Sequence, residues 1–209
     1  MSLGFQHGLY LTASGRVFGV GKNTRFQLGQ AYNKDSNHSE IFDKYQTAKE
    51  LKYFDEEVKS VHAGKFHSLI LTESNKLYGL GYNKYGQLGI NSSLYQHSEE
   101  AMEVFTDGLD IDQIAVGAHH CLILDKNGDL YGFGARMNGQ LDGVNKGSRQ
   151  EQCSITPIKL PNGVGQSPDS RIVSIKANNL KSSLTTADGQ VWFWGGYFYD
   201  GSKPSRQLK

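Results

Sequence analysis

The chain has 209 residues, enough for one or two domains with a substantial core. Its 22 Lys and Arg against 21 Asp and Glu give a net charge of +1, which supplies no strong electrostatic reason to expect nucleic acid or an anionic membrane as the main partner. Twenty-five glycines, four prolines and no Gly-X-Y period fit a turn-rich β protein and not collagen or a disordered chain, and two cysteines, Cys121 and Cys153, cannot make a disulfide framework.

The elements recur in chain order. The first unit opens at Gly4; Leu9 and Leu11, at spacing two, share one face of a strand. Gly15 marks a turn, Val17 and Phe18 begin another strand that closes on Gly21, and Gln27-Leu28-Gly29 follows. In the second unit a short β-branched run, Val58 and Val61, precedes Gly64. Leu69 with Leu71, Asn75, Leu77 with Tyr78, Gly81 and Gly86-Gln87-Leu88-Gly89 then restate the first unit without a gap, sixty residues on. The third unit, fifty-three residues later, gives Ile111 and Ile114, Gly117, Leu122 with Leu124, Gly128, Leu130 with Tyr131, and Gly134. The fourth gives Ile172 and Ile175, Asn178, Gly189, Val191 with Trp192, and Gly195, but lacks the Gly-Gln-Leu-Gly end. A further strand per unit is expected within residues 45–53, 101–105, 155–160 and 204–208.

Four short strands per unit, with glycine turns, predict the blades of a β-propeller, each a four-stranded antiparallel sheet that needs a neighbour to bury its faces. Alternation predicts that Leu69, Leu71, Leu122 and Leu124 are buried and that the turn residues Asn75 and Gly128 are exposed.

The pattern Gly-x-x-His-Ser-Leu-x-Leu-Thr-x-x-x-x-Leu-Tyr-x-x-Gly-x-Asn-x-x-Gly-Gln-Leu-Gly, complete from Gly64 to Gly89, resembles the repeat of the regulator of chromosome condensation family. The resemblance covers nearly the whole chain apart from the connecting segments. It implies a propeller, usually of seven blades. The type member is a nuclear exchange factor for a small GTPase that also docks on nucleosomes; other members serve as scaffolds, ubiquitin-ligase modules or adaptors, so membership does not transfer an activity.

Only four units are present, and the three residues before Gly4 look too few for a first strand. The expectation is an all-β, partial propeller, open or truncated, of about four blades. It forms a single repeat domain with repeats at about 1–53, 54–107, 108–161 and 162–209. Three accounts compete: a piece of a longer protein, an open arc completed by another polypeptide, and, ranked third, a closed four-bladed ring. Open edges invite pairing unless covered, so other protein chains or further blades are expected over the terminal blades, including Trp192 and Trp194.

Chemical constellations are few. His7, His67 and His120 share one repeat position, but blade spacing separates them too far for one metal ion, and Lys181 replaces them in the fourth unit. A structural hydrogen bond within each blade is the simpler reading. Gly19-Val20-Gly21-Lys22 lacks the first glycine and the Ser or Thr of a phosphate loop. Neither cysteine shows a nucleophile signature, Cys121 reads as a small core residue, and 55–57 and 99–100 read as solvated connector charges. No catalytic, cofactor-binding or metal site is predicted, and the chain is not expected to be an enzyme.

The connectors 30–44, 91–99 and 143–154 are longer than turns require, and long loops often carry binding. The aromatics in or beside them, Tyr32, Phe42, Tyr45 and Tyr95, are candidate partner-binding residues, weighed evenly against packing over their own blade edge.

The leading expectation is a non-catalytic protein-binding or structural module within a larger intracellular assembly. The alternative, carried by the resemblance alone, is an exchange factor, or a fragment of one, acting on a small GTPase partner. Chromatin or other nucleic acid is disfavoured, since the only basic cluster near the end is Lys203, Arg206 and Lys209. No segment approaches the roughly 20 apolar residues of a membrane span, and residues 1–8 have no secretory pattern. An intracellular, cytoplasmic location without membrane insertion is therefore expected, with nucleus and organelle left open.

Overall fold

Short β-branched and aromatic runs separated by glycine turns fold as expected into strands, and no helix interrupts them among the described residues. The computed structural model describes residues 1–29, 44–141, 152–158, 160, 162–196 and 206–208. The first blade holds β1 (Ser2–Leu3), β2 (His7–Leu11), β3 (Val17–Lys22) and β4 (Lys44–Glu50). The second holds β5 (Val58–Ala63), β6 (His67–Thr72), β7 (Leu77–Tyr82) and β8 (His97–Val104). The third holds β9 (Ile111–Val116), β10 (His120–Asp125), β11 (Leu130–Gly134) and β12 (Gln152–Pro157). The fourth holds β13 (Ile172–Asn178), β14 (Lys181–Thr186), β15 (Val191–Gly195) and β16 (Arg206–Leu208).

Each blade is one antiparallel sheet whose spatial order follows chain order. The four sheets stand side by side as an open arc, a partial propeller. The expectation that the first unit lacks its inner strand is corrected. Two residues suffice, Ser2 opposite Leu9 and Leu3 opposite Gly8. The outer strands are also displaced from their expected limits; β8 begins at His97, so Glu99 and Glu100 lie in a strand and not in a connector.

The core is divided into three seams between neighbouring blades. Leu9, Val17 and Leu28 of the first blade meet Val58, Val61, Ile70 and Leu80 of the second. Leu69, Leu71 and Leu77 then meet Ile111, Cys121, Ile123 and Phe133 of the third. Leu122, Leu124 and Leu141 meet Ile172, Ile175, Leu184 and Trp194 of the fourth. The strand period of two explains this two-faced use: one face of each second strand packs forward and the other backward. All six residues of β6 and of β10 are buried, because both blades have neighbours on each side.

Leu69, Leu71, Leu122 and Leu124 are buried as the alternation requires. Asn75, expected to be exposed, is half-buried. Its Nδ2 donates to the Leu109 carbonyl at 2.6 Å and its Oδ1 accepts from the Ile111 amide at 3.0 Å, tying its turn to the following blade. Gly128 is likewise half-buried rather than exposed.

Candidate interaction face

The recurring histidines belong to the seams. His7 Nε2 lies 3.0 Å from Ser68 Oγ, and Ser68 in turn donates to the Gln27 carbonyl at 2.6 Å. His120 repeats the arrangement with Ser182 at 3.0 Å, and Ser182 donates to the Gln140 carbonyl at 2.7 Å. In the central seam Cys121 takes the serine's place, 3.4 Å from His67 Nε2 and 3.4 Å from the Gln87 carbonyl. Each hydroxyl hydrogen is committed to a carbonyl, which assigns the imidazole proton to Nε2. The bond thus crosses from one blade to the next, correcting the expectation of a bond within each blade; residues about sixty apart meet only when blades stack.

The opposite ring nitrogens, Nδ1 of His7, His67 and His120, are buried with no hydrogen-bond partner among the described residues. Burial pushes His7 down to about 4 and His120 to about 3, and holds His67 well below its ordinary value. These imidazoles are neutral struts walled from solvent. A Cβ added at Gly4, Gly64 or Gly117 would strike the ring three residues on, the physical reason for the recurring Gly-x-x-His spacing. Burial also pushes the Cys121 thiol well up, so it is held as a thiol.

What faces solvent lies at the end of the blades where each first strand turns into the second and each third strand leaves for the fourth. There the inner turns are stitched across the arc: the Phe5, Lys65 and Ala118 amides donate to the Gly64, Ala118 and Asn179 carbonyls at 3.3, 3.3 and 2.8 Å. These turns and the adjoining inner strands frame a cavity of about 550 Å³ lined by residues of all four blades, Leu3 and Asn179 among them.

On this rigid frame stands a ladder of rings. Phe5 meets Phe66 edge-on at 6.2 Å, Phe66 meets Tyr82 at 6.4 Å, and Tyr82 meets Tyr85 at 6.1 Å. His119 lies 5.0 Å from Tyr85, and burial, with Lys65 nearby, holds its imidazole down to about 4. Two cations lie over the ladder. Lys65 Nζ is 5.5 Å from the Phe5 centroid and 5.3 Å from that of Phe66, and the Arg25 guanidinium is 5.3 Å from the Tyr82 centroid.

Those expected partner-binding residues that the structure describes are not members of the ladder. Tyr32 and Phe42 lie outside the described residues. Tyr45 is in β4, paired opposite Gly21, and its side chain lies outside the described set. Tyr95 is exposed on the connection from β7 to β8. Trp194, expected on an open apolar face, is 3 % exposed inside the third seam, where its Nε1 donates to the Gln140 carbonyl at 2.9 Å. Trp192 packs against that same seam, half-buried. Both point back toward the third blade because they alternate with Phe193 along β15. The ladder is not legible in the repeat because its members occupy positions that change between copies; Phe66 precedes His67 where His119 precedes His120 and Gln6 precedes His7.

The model of the regulator of chromosome condensation repeat matches residues 1–27, 58–87 and 111–140, and a second model of the same repeat matches 74–124. The chain belongs to this repeat family. It is 30% identical over 211 residues to the protein RCC2 homolog of Xenopus laevis, covering 91% of this chain and 39% of that protein. It is 27% identical over 195 residues to the human probable E3 ubiquitin-protein ligase HERC6, covering 93% of this chain and 18% of the relative. The chain therefore spans well under half the length of these relatives. Among solved structures, yeast RCC1 (Prp20) bound to Kap60 superposes with a TM-score of 0.74 at 26% identity, covering 98% of this chain and 47% of that one. Human WBSCR16 gives a TM-score of 0.76 at 24% identity, covering 98% and 50%.

Among the described residues, no three His, Cys, Asp or Glu side chains converge as a metal site, and no helix is long and apolar enough to cross a membrane.

Proposed function

We propose that this chain is a non-catalytic protein-binding module of the propeller type, working within a larger assembly through the ladder face. One observation carries the reading. The titratable side chains that recur with the repeat are buried as struts between blades, whereas the rings and cations that vary from blade to blade stand on the surface. Fixed scaffold beneath variable surface is the division expected of a recognition module.

Panning a displayed peptide library against the purified chain tests this reading. It should return sequences whose binding is lost on Phe5→Ala, a change at an exposed ring. Enrichment indifferent to this face would place binding elsewhere and overturn the assignment.

The exchange-factor reading draws support from relatives only. A mouse RCC1-like G exchanging factor-like protein is 25% identical over 93% of this chain, and the chain covers 40% of it. The discriminating assay follows release of labelled nucleotide from a panel of small GTPases mixed with the chain. Release is expected to stay at its intrinsic rate; catalytic acceleration would move the exchange reading to first place.

A further inference from the structure

Among the described residues, charge is divided between the two ends of the blades. At the ladder end, the described connecting segments carry Arg25, Lys65, Lys84 and Arg136 and no Asp or Glu. Lys22 and Lys181 add cations at strand ends facing the same way. At the other end, the described connections carry nine carboxylates, Asp55, Glu56 and Glu57 among them, against five cations.

Among the described residues, the ion pairs Arg16–Glu50, Lys76–Glu56, His97–Glu99 and Lys126–Asp110 involve neither Lys65 nor Arg25. Lys65 and Arg25 have ring faces as neighbours instead. A ring quadrupole holds a cation in place without neutralising it, so the full charge remains available to an incoming anion. The rings supply apolar contact beside that charge, with Phe5 65% and Met137 59% exposed.

We propose that the ladder face docks an acidic polypeptide segment bearing aromatic or large apolar side chains: carboxylates opposite Lys65 and Arg25, apolar groups against Phe5 and Phe66. This rests on the protein-binding reading above and adds the chemistry of the partner. Charge complementarity with Lys65 and Arg25 selects the occupant, and the nine described carboxylates of the opposite end would disfavour it there. A polypeptide is favoured over a nucleic acid because the cations are few and interleaved with partly buried rings, rather than aligned as a stripe that could follow a phosphate backbone.

The test is fluorescence anisotropy of the whole chain with a labelled peptide rich in Asp, Glu and Phe. A matched peptide with Asn and Gln in place of the acids, and a labelled single-stranded oligothymidylate, are run beside it. The acidic peptide should bind most tightly and weaken as salt rises. Arg25→Glu with Lys65→Glu should lower its affinity by about tenfold or more, whereas Lys52→Glu at the opposite end should leave it within about twofold. Thermal melts of each variant establish that the fold is intact.

Equal binding of the neutral peptide, lost on Phe5→Ala, would overturn the charge inference and leave the protein-binding reading standing. No binding of either peptide, together with a library panning that returns nothing dependent on Phe5, would defeat both. Tighter binding of the oligothymidylate would replace the polypeptide with nucleic acid.

Discussion

His7, His67 and His120 show how a repeated polar residue can be structural in every copy. Their folded-state values lie below the ordinary imidazole value near 6.5, so between about pH 4 and 6.5 the unfolded chain binds protons that the folded chain refuses. Stability should therefore be greatest above about pH 6.5 and fall progressively on acidification toward pH 4. Urea denaturation at stepped pH should show a falling midpoint, and a flat midpoint across that window would mean the imidazoles are not buried neutral. Ser182→Ala would leave His120 Nε2 without its acceptor and remove a donor from the Gln140 carbonyl, which also accepts from Trp194. The expected cost is about 1–3 kcal/mol, read from the same denaturation curves. Phe26 poses a different question. It holds φ of 60°, the left-handed region, where the sister copies place Gly86 and Gly139, and it stacks on His97 at 5.1 Å. Phe26→Gly should leave thermal stability unchanged or raise it by up to about 1 kcal/mol, because backbone strain is relieved as the ring contact is lost. A large loss of stability would show that the stacking outweighs the strain.

The strands divide into those that could be read from the sequence and those that could not. The second and third strands of each blade were legible because leucines at spacing two and glycines at fixed offsets act locally. The outer strands were less so: 97–104 carries three glutamates and a histidine, and its pairing with β7 is imposed by the sheet rather than by its own pattern. The facing of the two tryptophans was misread because the fourth blade changes the pattern on the side that faces away from the third. Ser183 and Thr185 stand where other blades have Leu69 and Leu71, and Phe193 stands where they have Gly79 or Gly132. Those glycines pack against Leu88 and Leu141 of the Gly-Gln-Leu-Gly run, a run the fourth unit lacks. Leu122→Ala should cost about 2–5 kcal/mol, since Leu122 is fully buried in the third seam. The reverse change, Ser183→Leu with Thr185→Leu, should promote self-association, visible by sedimentation, by adding apolar surface to the partly exposed face.

At the scale of the molecule, the fold was readable and the interaction face was not. Four copies of one pattern define blades, and blades require neighbours; that argument needs no long-range information. The ladder face depends on bringing Arg25, Lys65 and Phe5 from separate connections onto the end of β7 at Tyr82, and the charge division among the described residues follows the ends of the blades and not the order of the chain. Both emerge only when the blades stand in register. Three seams joining four blades in an open arc predict graded stability: β6 and β10, packed on both faces, should open last, and the outer blades first. Native-state amide hydrogen exchange of the isolated chain measures this most directly. Slow exchange is expected through β6 and β10, with faster exchange in β1, β2 and β16. Uniform protection from Ser2 to Gly195 would contradict the open arc and indicate a ring closed between the first and fourth blades.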